Sequence, residues 1–197
     1  DYRDLVLLHQ PFADYYGAWR ALEELYAEGK LRAIGVSNFY PDRLVDICSF
    51  SRIKPMVNQV ETHPHNQQKA AHEWMNKYGV VHEAWAPFGE GRGGLFTDPV
   101  LQKIGAKYGK TTAQVILRWH LQRGIVVIPK STHRERMAEN FDVFDFTLSG
   151  EDMKEIAALD KEQSSFFSHT DPNMVEWFVK IVEERKGVTE DNAKKNW

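Results

Sequence analysis

The sequence predicts an α/β protein built on a parallel sheet, and three observations carry that prediction. Five short apolar runs recur along the chain at intervals of roughly 20 to 45 residues. Helical patterns fill the intervals, as parallel strands require, because a tight turn cannot bring the chain back in the same direction. Polar residues gather where the apolar runs stop. Two architectures meet these terms, an open doubly wound sheet and a barrel, and both collect functional residues at the carboxyl ends of their strands.

The first strand is expected over 5–9, an apolar run bounded by Pro11. Its helix covers 15–28, with Trp19, Leu22, Leu25 and Tyr26 at helical spacing and Gly29 placed to close it. The second strand, 33–38, precedes a helix opened by Pro41 that carries Leu44, Val45, Ile47 and Cys48 along one side. The third, 56–61, leads to a helix over about 67–78 that stops at Gly79. The fourth, 80–88, runs into a glycine-rich loop. Beyond it Asp98 with Pro99 has the residue types of a helix start, and Thr111 with Gln114 those of a capping box. The fifth strand spans 125–130, and Thr132 with Glu135 repeats the capping-box spacing ahead of a helix over 133–141. Helices over 149–160 and 175–184 complete a chain that reads as a single domain over 1–197, with its tail at 161–197.

Composition narrows the function classes. With 42% hydrophobic and 27% charged residues the 197-residue chain has the balance of a globular protein. A net charge of −3 with both signs interspersed offers no field to draw in nucleic acid or an anionic membrane, so neither is expected as a partner. No apolar run approaches the roughly 20 residues needed to span a bilayer. Cys48 is the only cysteine, which excludes an intramolecular disulfide and a cysteine metal cage. A cytoplasmic setting is expected. Asp1-Tyr2-Arg3 leads straight into the first strand, which reads as a start inside a domain.

The strand ends carry His9, then Ser37 and Asn38, then Asn58, Gln59 and Glu61, then Trp85, then Lys130 and Ser131. A single strand-end asparagine is more often a turn residue, and five such ends in succession weaken that explanation. The stretch from Gly89 to Gly94 satisfies G-x-G-x-x-G, yet no helix opens at its last glycine and no acidic residue closes a strand about 20 positions on, as the dinucleotide fingerprint requires. It reads as a mobile loop, or as a cover for a bound cofactor. His63, His65, His72 and His82 fall on different elements, so no metal is expected. Lys130 closes a strand, and Arg136 lies in the first turns of the next helix, where free backbone N–H groups favour an anion. Such a pair suits the 2′-phosphate of NADPH; the plainer alternative is a solvated basic helix start.

Taken together, residues 4–11 (DLVLLHQP), 35–39 (GVSNF), 57–61 (VNQVE), 84–87 (AWAP) and 128–131 (IPKS) with 136–141 (RMAENF) resemble the ordered signatures of aldo-keto reductases. The resemblance implies a (β/α)8 TIM barrel, of which about five strand-helix units are present, and NADPH-dependent reduction of an aldehyde or ketone. By the same resemblance His9 orients the substrate carbonyl, while Ser37, Asn38 and Gln59 bind the nicotinamide carboxamide. Trp85 stands where the family usually stacks a tyrosine on the nicotinamide. Lys130, Ser131 and Arg136 match the 2′-phosphate clamp, and Glu139 and Asn140 match contacts to adenine. Gln10 and Ala86 depart from the tryptophan and serine frequent at their positions. The family's catalytic aspartate, tyrosine and lysine fall on strands expected before residue 1. The 197 residues alone are therefore expected to reduce no carbonyl, and to self-associate or recruit the missing amino-terminal segment through open sheet edges. A catalytically silent nucleotide-binding or structural protein is the alternative from another class.

Overall fold

The computed structural model describes residues 1–195, with side chains as far as Arg185. Five strands, β1 (Val6–Leu8), β2 (Ile34–Ser37), β3 (Val57–Glu61), β4 (Val81–Trp85) and β5 (Val126–Val127), form one parallel sheet in chain order. That order separates the two architectures left open by the sequence. A doubly wound sheet reverses its strand order at a switch point, whereas here each crossover adds the next strand on the same side. The sheet winds in one direction, as a (β/α) barrel does.

The crossovers are α1 (Tyr15–Ala27), α2 (Pro41–Phe50), α3 (Lys69–Tyr78) and the pair α4 (Pro99–Tyr108) and α5 (Thr112–Gln122). After β5 come α6 (Arg134–Phe141), α7 (Gly150–Ala157) and α8 (Pro172–Lys195). Residues Asp1–Ser165 form one compact unit, and a second starts at Phe166. Within the second, the Phe167 ring lies 4.6 Å from that of His169 and 5.6 Å from that of Phe178, centroid to centroid.

Register divides the sheet into two unlike faces. Ile34 and Val36 of β2, Asn58 and Val60 of β3 and Ala84 of β4 share one face and are fully buried. Trp19, Leu44, Ile47, Ala71 and Met75 from α1, α2 and α3 complete that core. A second core lies among α4, α5 and α7, where Leu101, Ile104, Val115, Ile116, Trp119 and Ile156 meet. The other sheet face carries Leu7, Gly35, Ser37, Gln59, Glu83 and Val126, and it is open: Val81 is 46% exposed and Val126 43%.

Most helix starts follow from local chemistry. Asp98 Oδ1 accepts from the Val100 and Leu101 N–H groups at 2.9 and 3.2 Å. Thr111 and Gln114 form their capping box, at 3.3 and 3.0 Å. The expected box at Thr132 and Glu135 is absent. Ser131 Oγ instead accepts from the His133 N–H at 3.1 Å, the chain turns there, and α6 begins one residue later with His133 as an N-cap that makes no side-chain bond. All five strands are shorter than expected, β4 and β5 by the most. β4 ends at Trp85 because Ala86 takes a left-handed φ of 47°. β5 is an edge strand that soon reaches Pro129, which has no N–H to donate. The stretch from Gly89 to Gly94 contains one 3-10 turn, Gly89–Gly91, and a second, Leu95–Thr97, follows it with Leu95 buried in the second core.

Candidate functional site

Two groups of residues occupy the carboxyl ends of the strands. In the first, β2 delivers Ser37 and Asn38, β3 delivers Gln59, and β4 delivers Glu83 and Trp85. Asn38 adopts φ 61°, a conformation asparagine tolerates better than most residues, and so turns its amide back over the sheet edge. Its Nδ2 donates to the His9 carbonyl at 3.1 Å and to Ser37 Oγ at 3.2 Å. Its Oδ1 accepts the Trp85 indole N–H at 2.9 Å. The Ser37 hydroxyl donates to the Gln59 carbonyl at 2.8 Å. Gln59 Nε2 donates to Glu83 Oε1 across the register Gln59–Glu83. Four of the residues singled out in the sequence are thus one connected network. His9 joins it only through its backbone; its imidazole is exposed at the rim.

The second group lines a cleft of about 710 Å³ formed by Lys130, Ser131, Arg136, Glu139 and Asn140 with Phe88, Phe96 and residues 111–113. That volume lies within the range of small-molecule sites. Two helix amino ends open into it, those of α5 and α6, so both present the positive end of a backbone dipole. Since no side chain caps α6, the N–H groups of its first turn are free for an anion. Lys130 and Arg136 form no ion pair among the described residues. Glu139 is held by the Thr111 hydroxyl, which donates to its Oε1. Ser131 serves the turn before α6, accepting from the His133 N–H and donating to the His133 carbonyl, and it also lines the cleft.

A clasp at Glu61 joins the end of β3 to the segment after α7. Burial alone would raise its pKa, but hydrogen bonds from the His63 ring, the Ser164 hydroxyl and the Ser165 N–H outweigh that and hold the carboxyl below its ordinary value. Asn58, another strand-end polar residue, faces the helices and donates to the Phe39 carbonyl at 2.7 Å, so it shapes the fold rather than the site. No group of three or more metal-ligating side chains occurs among the described residues. No helix among them is long and apolar enough to cross a membrane.

Sequence reasoning missed Glu83 and the α5 amino end. Glu83 lies inside an apolar run, and its partner is set by cross-strand register rather than by spacing. Thr111 reads as a cap, and nothing in its sequence neighbourhood says which cleft it faces.

Residues 1–161 match the model of the Aldo/keto reductase family. The glyoxal reductase of Bacillus subtilis is 51% identical over 164 residues, covering 83% of this chain and 59% of the relative. The methylglyoxal reductase DkgA of Escherichia coli K12 is 43% identical, covering 82% and 60%. Among solved structures, an aldo-keto reductase from a deep-sea metagenome of the Medee basin superposes with a TM-score of 0.82 at 43% identity, covering 87% of this chain and 64% of that one. The Bombyx mori aldo-keto reductase in complex with NADP gives 0.80 at 34%, covering 85% and 60%. The chain spans about three-fifths of the length of the relatives it matches.

Proposed function

The chain belongs to the aldo/keto reductase family, and we propose that it supplies the NADPH-binding side of a site that reduces an aldehyde or ketone to an alcohol. The observation that carries this reading is the cleft between two helix amino ends, lined by Lys130 and Arg136, which form no ion pair among the described residues: a donor set matched to a phosphate. Lys130, Ser131 and Arg136 would hold the 2′-phosphate, and Glu139 and Asn140 would meet the adenine. Ser37, Asn38 and Gln59 would orient the nicotinamide carboxamide, with the Trp85 ring offered as a stacking face. Bound NADPH supplies hydride to the carbonyl carbon. His9, exposed at the rim, would donate a hydrogen bond to the carbonyl oxygen, orienting it and polarising the C=O bond.

Two relatives are named for glyoxal and methylglyoxal, so small 2-oxoaldehydes are the first carbonyls to assay with this protein. The one cysteine, Cys48, is buried and unpaired, which suits the reducing cytoplasm. The deciding experiment is a fluorescence titration of the chain with NADPH and with NADH. Tighter binding of NADPH is expected, with tryptophan emission quenched and the quenching reduced in Trp85→Phe. Equal affinity for the two nucleotides would remove the 2′-phosphate assignment.

A further inference from the structure

Gln59 and Glu83 are register partners on the open face of the sheet, and their side chains are joined by a hydrogen bond. A carboxylate only accepts, so the Gln59 amide has one permitted orientation: its NH₂ faces Glu83 and its Oε1 faces away. The neighbouring amide is set by the same logic with opposite partners. The Trp85 indole only donates, so Asn38 must turn Oδ1 towards it, and both Asn38 N–H groups are then taken by the His9 carbonyl and Ser37 Oγ. The Ser37 proton goes to the Gln59 backbone carbonyl. The side-chain donors of Ser37, Asn38 and Trp85 are all committed, and one N–H of Gln59 is held by Glu83. Gln59 Oε1 has no hydrogen-bond partner among the described residues, and it stays on the half-buried, open side of the sheet.

We propose that Glu83 is a positioning residue that fixes the polarity of Gln59, so that the strand-end cluster presents an acceptor to the amino group of a carboxamide. The proposal rests on the NADPH reading above and deepens it. The amino group of the nicotinamide carboxamide is the part of the ligand that this cluster selects. Without Glu83 the Gln59 amide is free to flip, and half its orientations would offer N–H groups to N–H groups.

The test compares three probes on four proteins. The probes are NADPH, its 3-acetylpyridine analogue, in which a methyl group replaces the carboxamide NH₂, and 2′,5′-ADP, which has no nicotinamide. The proteins are the wild-type chain, Gln59→Ala, Glu83→Ala and Glu83→Gln. Wild type is expected to prefer NADPH over the analogue by roughly fivefold to tenfold, the worth of one hydrogen bond. Glu83→Ala should bring that ratio close to one, while Glu83→Gln, which keeps an acceptor oxygen, should retain most of it. All four proteins should bind 2′,5′-ADP alike. A full preference in Glu83→Ala beside a lost one in Gln59→Ala would overturn the role of Glu83 and leave the NADPH reading standing. A preference that survives in Gln59→Ala, or is absent from wild type, would overturn the carboxamide assignment itself. Loss of 2′,5′-ADP binding in both Glu83 variants would assign Glu83 to the stability of the fold and overturn the positioning role.

Discussion

The strand-end cluster and the cleft at α6 are built on opposite principles. Ser37 and Asn38 are 1% and 3% exposed, and their polar atoms are committed to one another and to the chain. The α6 helix buries none of its residues, and Lys130 and Arg136 are exposed and form no ion pair among the described residues. Orientation of a planar group needs fixed donors and acceptors, and a buried polar atom is tolerated only when it is bonded. Capture of a phosphate needs the reverse: cations kept hydrated until the ligand arrives, because burying an unpaired charge costs several kcal/mol. Binding and stability are therefore coupled in the first region and separable in the second.

The largest effect that could break this contrast is expected at Asn38. Asn38→Ala removes three hydrogen bonds and leaves in a left-handed conformation a residue that tolerates it less well than asparagine, so unfolding in urea should show a loss of roughly 2–4 kcal/mol. Asn38→Gly should recover about 1 kcal/mol of that, because it relieves the backbone and leaves the bonds unmade. A loss below about 0.5 kcal/mol in the alanine variant would mean that the network does not hold the strand ends together.

At the cleft the stability and affinity columns should exchange places. Arg136→Ala should weaken NADPH by roughly 1.5–3 kcal/mol, leave NADH nearly unchanged, and move the urea midpoint very little. A variant that loses stability as well would show that Arg136 has partners in solution and that the cleft is not held open.

How much of this was legible in the sequence follows the same division. Ser37, Asn38, Gln59, Trp85 and Lys130 could be picked out because each lies where an apolar run stops, and the stop is itself a sequence signal; Arg136 could be picked out as a cation in the first turns of the helix that follows. Strand order was not legible from periodicity, which predicts only a parallel sheet; the resemblance to aldo-keto reductases implied the one-way winding that the register pairs show. Glu83 was hidden because it sits inside the run 80–88, and the bond that gives it meaning comes from a strand 24 positions earlier. The clasp at Glu61 spans 103 residues to Ser164, a separation no local pattern encodes.

Acid should act on the buried side of the sheet. His82 lies on the face that packs on α3, where Thr62 Oγ1 is 2.8 Å from its Nε2 and His72 Nδ1 is 3.0 Å from its Nδ1. Thr62 donates its proton to the Val60 carbonyl, so His82 carries hydrogen on Nε2 and accepts from His72 at Nδ1. Burial pushes the His82 pKa down to about 2, and His72, His120 and Arg123 all oppose a positive charge there. His72 is lowered too, by burial and by Arg123, with Glu73 opposing. The folded state excludes a proton that the unfolded chain takes up near pH 6.5. Stability is thus complete above that pH and falls as pH drops towards 2, by about 1.4 kcal/mol per pH unit for His82. Unfolding measured at pH 7 and 5.5 should show the fall, and His82→Gln should flatten it. A flat profile in wild type would mean the pair is hydrated rather than buried.

The smallest effect belongs to Thr132, and it is informative because residue types alone predict a larger one. A threonine three positions ahead of a glutamate has the spacing of a capping box, for which Thr→Ala costs about 1 kcal/mol. The same change at Thr111 should cost that much, since Thr111 accepts from the Gln114 N–H and also holds Glu139. Thr132 is exposed and α6 has no side-chain cap, so Thr132→Ala should shift stability by less than about 0.5 kcal/mol. The missing cap has a use. A capped α6 would satisfy a first-turn N–H internally, and that donor would be lost to an incoming phosphate. NADPH affinity is a second and sharper readout: Thr132 lines the cleft, but with no cap competing with the ligand its loss in Thr132→Ala should not tighten NADPH binding. If the alanine variant instead binds NADPH more tightly while losing about 1 kcal/mol of stability, the box forms in solution and α6 trades its own cap for the phosphate. The cleft would then be coupled to folding as the strand ends are, and the contrast between the two regions would fail at the residue where the sequence first suggested it.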